Sequence, residues 1–194
     1  IVNYVDLLKK EDMPSPAARE YVDVLDRQSK RLKKLTEDLV EASKASSGAL
    51  NVELQPTDVN VLLSQIEGEY QERLAACHLT LVTQPPAPGT MIQADSRLLS
   101  RVMDNLVSNV CKYALENTRV YVTAAVRDGQ AVISFKNVSR DELNISPDEL
   151  MERFVRGDAS RHSEGSGLGL SIARSLVQLQ GGTFALSIDA DLFR

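Results

Sequence analysis

Apolar positions along the first 48 residues keep a helical rhythm. Tyr4, Leu7 and Leu8 predict one helix, which Pro14, Ser15 and Pro16 interrupt. Ser15 is placed to cap a second helix, with Pro16 in its first turn. In that helix Tyr21, Leu25, Leu32, Leu35, Leu39 and Ala42 fall at steps of four, seven, three, four and three. This is the a/d seam of a coiled coil, with Gln28 as its one polar a-type position. The stretch "SKASSG" ends it. A narrow seam with no further core predicts a hairpin that pairs with a second copy into a four-helix bundle. The alternative is a single hairpin packed on the rest of the chain.

From about Leu54 the rhythm becomes mixed. Residues 58–76 predict an amphipathic helix with Thr57 as N-cap. Residues 79–83 ("LTLVT") read as a strand, 84–89 ("QPPAPG") as a loop, and 95–115 as a long helix capped by Asp95. Two alternating strands within 119–137 meet at Asp128-Gly129, a tight hairpin signal. Ser146 caps a short helix. A polar, glycine-bearing stretch leads into a helix that Gly181-Gly182 stops, and "TFALSI" predicts a last strand. The fold class expected is α+β: a helical hairpin over 1–48, then a two-layer α/β sandwich with a mixed sheet over 49–194.

The composition, 43% hydrophobic and 25% charged over 194 residues, is that of an ordinary globular protein. A net charge of −5 argues against a nucleic-acid partner. The basic run over 27–34 is interleaved with leucines and reads as a solvated helix face. Cys77 and Cys111 lie in apolar surroundings and read as structural thiols of a reducing compartment. No stretch approaches 18 apolar residues. Ile1 reads as the middle of a helix and the last residues as a strand that continues, so a piece of a longer protein is expected.

Three stretches carry chemistry. "GSGLGL" puts Gly165, Gly167 and Gly169 before a helix. It lacks the Lys of a triphosphatase phosphate loop and the spacing of a dinucleotide fingerprint. What survives is a set of unhindered N–H groups at a helix start, suited to an anion. In "DNLVSNVCKYA", Asn105 and Asn109 project from one helix face, with Lys112 and Tyr113 beyond them. An oxygen-seeking cation, a phosphate and a flat base would use an Asn carbonyl, a Lys and a Tyr respectively. The alternative is that both amides only bond neighbouring backbone. "ERFVRGDASR" offers Phe154 as an apolar anchor, and Arg156 and Arg161 as phosphate-seeking groups on a lid.

Together these stretches resemble the N box, F box and second glycine box of the sensor histidine kinases, whose ATP-binding domain is shared with gyrase, Hsp90 and the MutL proteins. The resemblance covers essentially the whole chain, with the hairpin in place of the dimerisation and phosphotransfer helices. It implies that Asn109 gives its carbonyl to Mg²⁺, that Lys112 contacts phosphate and that Tyr113 lies against adenine. Gly165, Gly167 and Gly169 present backbone to the phosphates of ATP, with Leu168 and Leu170 packing below. Arg156 and Arg161 approach from a lid over roughly 155–166, which nucleotide orders. Hydrolytic relatives place a Glu, as a base for water, where this chain has Asn105, so hydrolysis is expected to be slow. Such kinases carry D-x-G-x-G before the lid. Here Asn137 and Ser139 stand for the Asp and the first Gly, and the Asn137 oxygen can still accept a bond from the adenine amino group.

The resemblance further implies γ-phosphoryl transfer to a histidine and then to the aspartate of a response-regulator receiver domain, in a homodimer paired through the hairpin. The native setting implied is the cytoplasmic portion of a bacterial membrane sensor, anchored by regions outside this chain. The acceptor histidine is expected upstream of Ile1. His78 and His162, the only histidines, read as a structural and a lid residue, so this chain is expected to bind ATP without phosphorylating itself. The alternative, supported by Asn137, is a catalytically weak kinase-fold scaffold signalling through dimerisation.

Overall fold

The computed structural model describes residues 16–142, 146–151 and 167–194. The first helix of the expected hairpin therefore lies outside the described residues. The second is helix α1 (Pro16–Ser46), 31 residues long, with Pro16 at its first position. Tyr21, Leu25, Leu32 and Leu39 of the expected seam are half or more exposed, whereas Ala42 leaves the seam and is buried with Ala45. The two small side chains let α1 approach the larger domain, where both join its core.

After α1, β1 (Gln55–Asp58) runs antiparallel to β3 (Met91–Ala94) as a separate two-stranded sheet. Neither strand was predicted: "QPTD" has no apolar alternation, and its pairing comes from a segment more than thirty residues away. Helix α2 (Val59–Ala76) follows, and its cap is Asp58 rather than Thr57. The Asp58 carboxylate accepts from Asn60 N–H at 2.8 Å, while the Thr57 hydroxyl turns to the Gln55 carbonyl.

The main sheet has the order β2 (Thr80–Gln84), β4 (Arg119–Arg127), β5 (Gln130–Val138), β7 (Leu192–Phe193) and β6 (Ile188–Asp189). The β2–β4 pair is parallel and the others antiparallel, so the sheet is mixed as expected. Asp128 and Gly129, both at positive φ, make the tight turn between β4 and β5. The strand expected over 183–188 begins only at Ile188. It turns back through Ala190 at positive φ, and Ser187 and Arg194 exchange backbone bonds at the hairpin's open end.

One face of this sheet is dry. Val120, Val122 and Ala124 are buried there, with Ala131, Ile133 and Phe135 of β5 packed beside them in register. Against them lie α2, α3 (Ser96–Tyr113) and α5 (Gly169–Leu179), through Leu63, Ile66, Leu74, Val102, Val107, Ile172 and Leu176. This is the two-layer sandwich that the alternating strands and one-sided helices require. The short helix α4 (Pro147–Leu150) begins in a capping box: Ser146 Oγ accepts from Glu149 N–H, and the Glu149 carboxylate accepts from Ser146 N–H.

Candidate nucleotide site

Helix α3 carries most of the candidate site and is pinned at its start, middle and end. At its start Asp95 accepts from Arg97 N–H at 3.0 Å and Leu98 N–H at 3.2 Å. The other oxygen takes Glu53 N–H, and Asp95 N–H itself donates to the Gln180 side chain at 2.8 Å, just past the end of α5. The bond from Glu53 N–H, joined by those from Leu98 and Arg97, holds the Asp95 carboxyl below the usual carboxylate range. At mid-helix Asn105 faces Gly169, the first residue of α5. The two helices therefore run antiparallel, tied at both ends of α5.

The third pin sets the far end. Leu115 N–H donates to the Val138 carbonyl at 2.9 Å, Arg140 N–H donates to the Tyr113 carbonyl at 2.8 Å, and Ala114 bridges to Ser139. These bonds place Tyr113 beside the end of β5, where Asn137 and Ser139 stand. Asn137 is 5% exposed, and among the described residues its amide donates a single long bond, 3.3 Å to the Val138 carbonyl. Ser139 Oγ donates to the Asp141 carbonyl at 2.7 Å.

The two helix amides behave differently. Asn105 is buried and donates to the Arg101 carbonyl one turn back at 2.9 Å. Asn109 is half-buried, and its side chain makes no hydrogen bond to another described residue. Its carbonyl oxygen is thus open to a cation that prefers neutral or anionic oxygen donors, and the donor type fits Mg²⁺. Lys112 extends into solvent at the same rim.

Gly167 holds a positive φ of 70°, which turns the chain into α5, and Leu168 then caps that helix without a side-chain bond. Leu168 is buried in the core, and Leu170 lines the cavity. A Cβ on Gly169 would lie 3.5 Å from Asn105 Oδ1, an ordinary contact. The fold itself therefore does not demand glycine at 169; the open backbone serves whatever approaches the helix start. Asn105, Asn109, Lys112, Tyr113, Asn137, Ser139, Gly167, Gly169 and Leu170 line one open cavity of about 2100 Å³. Phe154, Arg156, Arg161, Gly165 and the rest of the expected lid lie outside the described residues.

Not foreseen from sequence is that this cavity continues along α1, past Lys30, Lys34 and Leu35. Arg101 holds α1 there. It forks onto Glu41, with Nε at 3.0 Å and Nη2 at 2.9 Å, and reaches Asp38 at 3.4 Å. Spacing alone could not pair residues some sixty positions apart.

Residues 94–191 match the family described as histidine kinase-, DNA gyrase B- and HSP90-like ATPases. The chain belongs to that family. Within it the chain falls with the bacterial sensor histidine kinases. It is 33% identical to the signal transduction histidine-protein kinase BaeS of Escherichia coli over 157 residues, 78% of this chain and 32% of BaeS. It is 29% identical to the sensor protein VanS of Enterococcus faecium over 188 residues, 94% of this chain and 48% of VanS. The chain thus spans half or less of the length of these curated relatives. A crystal structure of full-length ShkA in complex with AMPPNP shares its fold, with a TM-score of 0.80 at 24% identity over 100% of this chain and 41% of ShkA. Among the described residues no helix is long and apolar enough to cross a membrane.

Proposed function

We propose that this chain is the catalytic core of a sensor histidine kinase that binds Mg·ATP and directs its γ-phosphoryl to a histidine, and from there to a response-regulator aspartate. One observation carries this reading. The end of α3, the end of β5 and the start of α5 converge on one cavity, each bringing a different kind of contact. The α5 start offers unhindered N–H groups for phosphate. Lys112 adds a cation, and Asn109 a carbonyl that no described residue engages, for Mg²⁺. Tyr113 and Asn137 stand where a base would be stacked and hydrogen-bonded.

In this site Gly165, Gly167 and Gly169 hold the phosphate tail while Leu168 and Leu170 support it from below. Arg156 and Arg161 close on it from the lid, and Phe154 anchors that lid. Mg²⁺ neutralises developing phosphate charge when bound; the chain's own contribution is positioning and electrostatics. Asn105 supplies no base for water, and its amide is already committed to the Arg101 carbonyl. This favours holding the γ-phosphoryl for a protein acceptor. With only His78 and His162 in its sequence, neither on the hairpin, the chain binds ATP without phosphorylating itself at the usual place. The exposed leucines of α1 support a homodimer through the hairpin. Anchoring of the intact sensor at a bacterial membrane, with this part on the cytoplasmic side, completes the reading.

Calorimetric titration with Mg·ATP tests it, paired with Gly169→Ala. The wild-type chain binds. The variant keeps its melting temperature, because alanine suits a helix and meets only ordinary contact, yet binds at least about tenfold more weakly, about 1.4 kcal/mol. No wild-type binding at millimolar nucleotide would overturn the kinase reading and select the scaffold, which the neutral Asn137 favours.

A further inference from the structure

The chain's two cysteines, far apart in sequence, meet where α2 ends against the last turn of α3. Cys77 is the C-cap of α2, and its N–H turns to the Leu74 carbonyl at 3.0 Å. That tightening frees the Arg73 carbonyl from the usual helical partner four residues on. Cys111 Sγ lies 3.9 Å from this freed oxygen as its donor. The Cys111 thiol also lies beside that of Cys77. Both residues are only partly buried, against the rim of the core, so small solutes reach them. Nearby, Arg73 pairs with Asp104 at 3.4 Å and braces the same two helices.

We propose that Cys77 and Cys111 form an oxidation site, at which hydrogen peroxide converts the dithiol to an intramolecular disulfide tying the end of α2 to the last turn of α3. Burial, reinforced by the neighbouring Cys77, pushes the Cys111 thiol up to about 12. Cys77 sulfur, as thiolate, attacks one peroxide oxygen. The O–O bond breaks, and the departing hydroxide takes up a proton as water. Cys111 sulfur then displaces the hydroxyl of the Cys77 sulfenic acid, its proton leaving with that hydroxyl as a second water. The sulfur pair gives up two electrons and the peroxide gains them; a dithiol reductant returns the pair to its starting state.

The tether lies next to Lys112 and Tyr113 at the end of α3. Resting on the nucleotide reading above, a second consequence is that oxidation alters Mg·ATP affinity by at least about threefold, about 0.7 kcal/mol.

Intact-mass measurement of this chain before and after peroxide tests the site. The expected product is a monomer about 2 Da lighter, restored by dithiothreitol, and absent in both Cys77→Ser and Cys111→Ser. An unchanged mass, oxygen addition at both cysteines without the loss, or only chain-to-chain disulfides overturns the proposal. Wild-type mass alone decides this, whatever the variants do to folding. Equal Mg·ATP affinity of the oxidised and reduced forms overturns the link to the nucleotide site. If the reduced form binds no nucleotide, the kinase reading fails while the mass result stands on its own.

Discussion

Helix α1 and helix α3 both carry regular apolar stripes, and the stripes end in different places. Leu98, Leu99, Val102, Met103, Val107 and Val110 of α3 are buried against the sheet and its neighbouring helices. Leu25, Leu32 and Leu39 of α1, spaced by seven, are half or more exposed. The difference shows what each stripe is for. A wide face at a 3.6-residue period is satisfied within one chain, while a narrow heptad seam needs another helix. Among the described residues, the domain holds the C-terminal half of α1 through Ala42, Ala45 and the Arg101 fork.

The contrast can be broken from the buried side first. Leu176, fully buried in α5 beneath the site, becomes a cavity as Leu176→Ala and costs about 3 kcal/mol of unfolding free energy, read from urea denaturation. On the exposed side, Leu32→Asp leaves the folding stability of the domain within about 0.5 kcal/mol. It weakens self-association about 30-fold, roughly 2 kcal/mol, by analytical ultracentrifugation. If the variant unfolds the domain and leaves association unchanged, the two stripes have been assigned the wrong way round.

Smaller effects sharpen the border between the two regions. Arg101→Ala removes a forked, partly buried ion pair and costs about 1–2 kcal/mol, with faster proteolysis near the end of α1 as a second readout. Arg101→Lys restores only part of this, because an ammonium cannot fork onto Glu41. Asp95 tests the α3 side alone. Its folded-state carboxyl is held below the usual value, so its contribution is complete above about pH 4 and is lost as pH falls through the lower folded value. Asp95→Asn keeps the cap geometry, costs about 1 kcal/mol near neutrality, and flattens the loss of stability below about pH 4. Denaturation series between pH 3 and 7 compare the two.

Local patterns made much of this legible. The caps at Asp95 and Ser146, the Asp128-Gly129 turn and the helix stop near Gly181 depend on one or two residues and their immediate neighbours. The strand pair Gln55–Asp58 with Met91–Ala94 did not show, because pairing over that distance leaves no mark in either segment. The shift of the cap from Thr57 to Asp58 has a similar cause: both are competent caps, and the β1–β3 pairing decides where the helix begins.

By itself the sequence determined the residue types of the candidate site: Gly167 and Gly169 at a helix start, Asn109, Lys112 and Tyr113, in segments whose helical character is local. Tertiary structure alone decided that they share one cavity. The bonds from Leu115 to Val138 and from Arg140 to Tyr113, and the approach of Asn105 to Gly169, join segments separated by tens of residues. Structure also separated the two amides, committing Asn105 to the Arg101 carbonyl while the Asn109 side chain bonds no described residue, and set Cys77 against Cys111. The physical reason is range. Helix capping and periodicity act within a turn or two of the chain, whereas shared burial and long-range hydrogen bonds exist only once the core has formed.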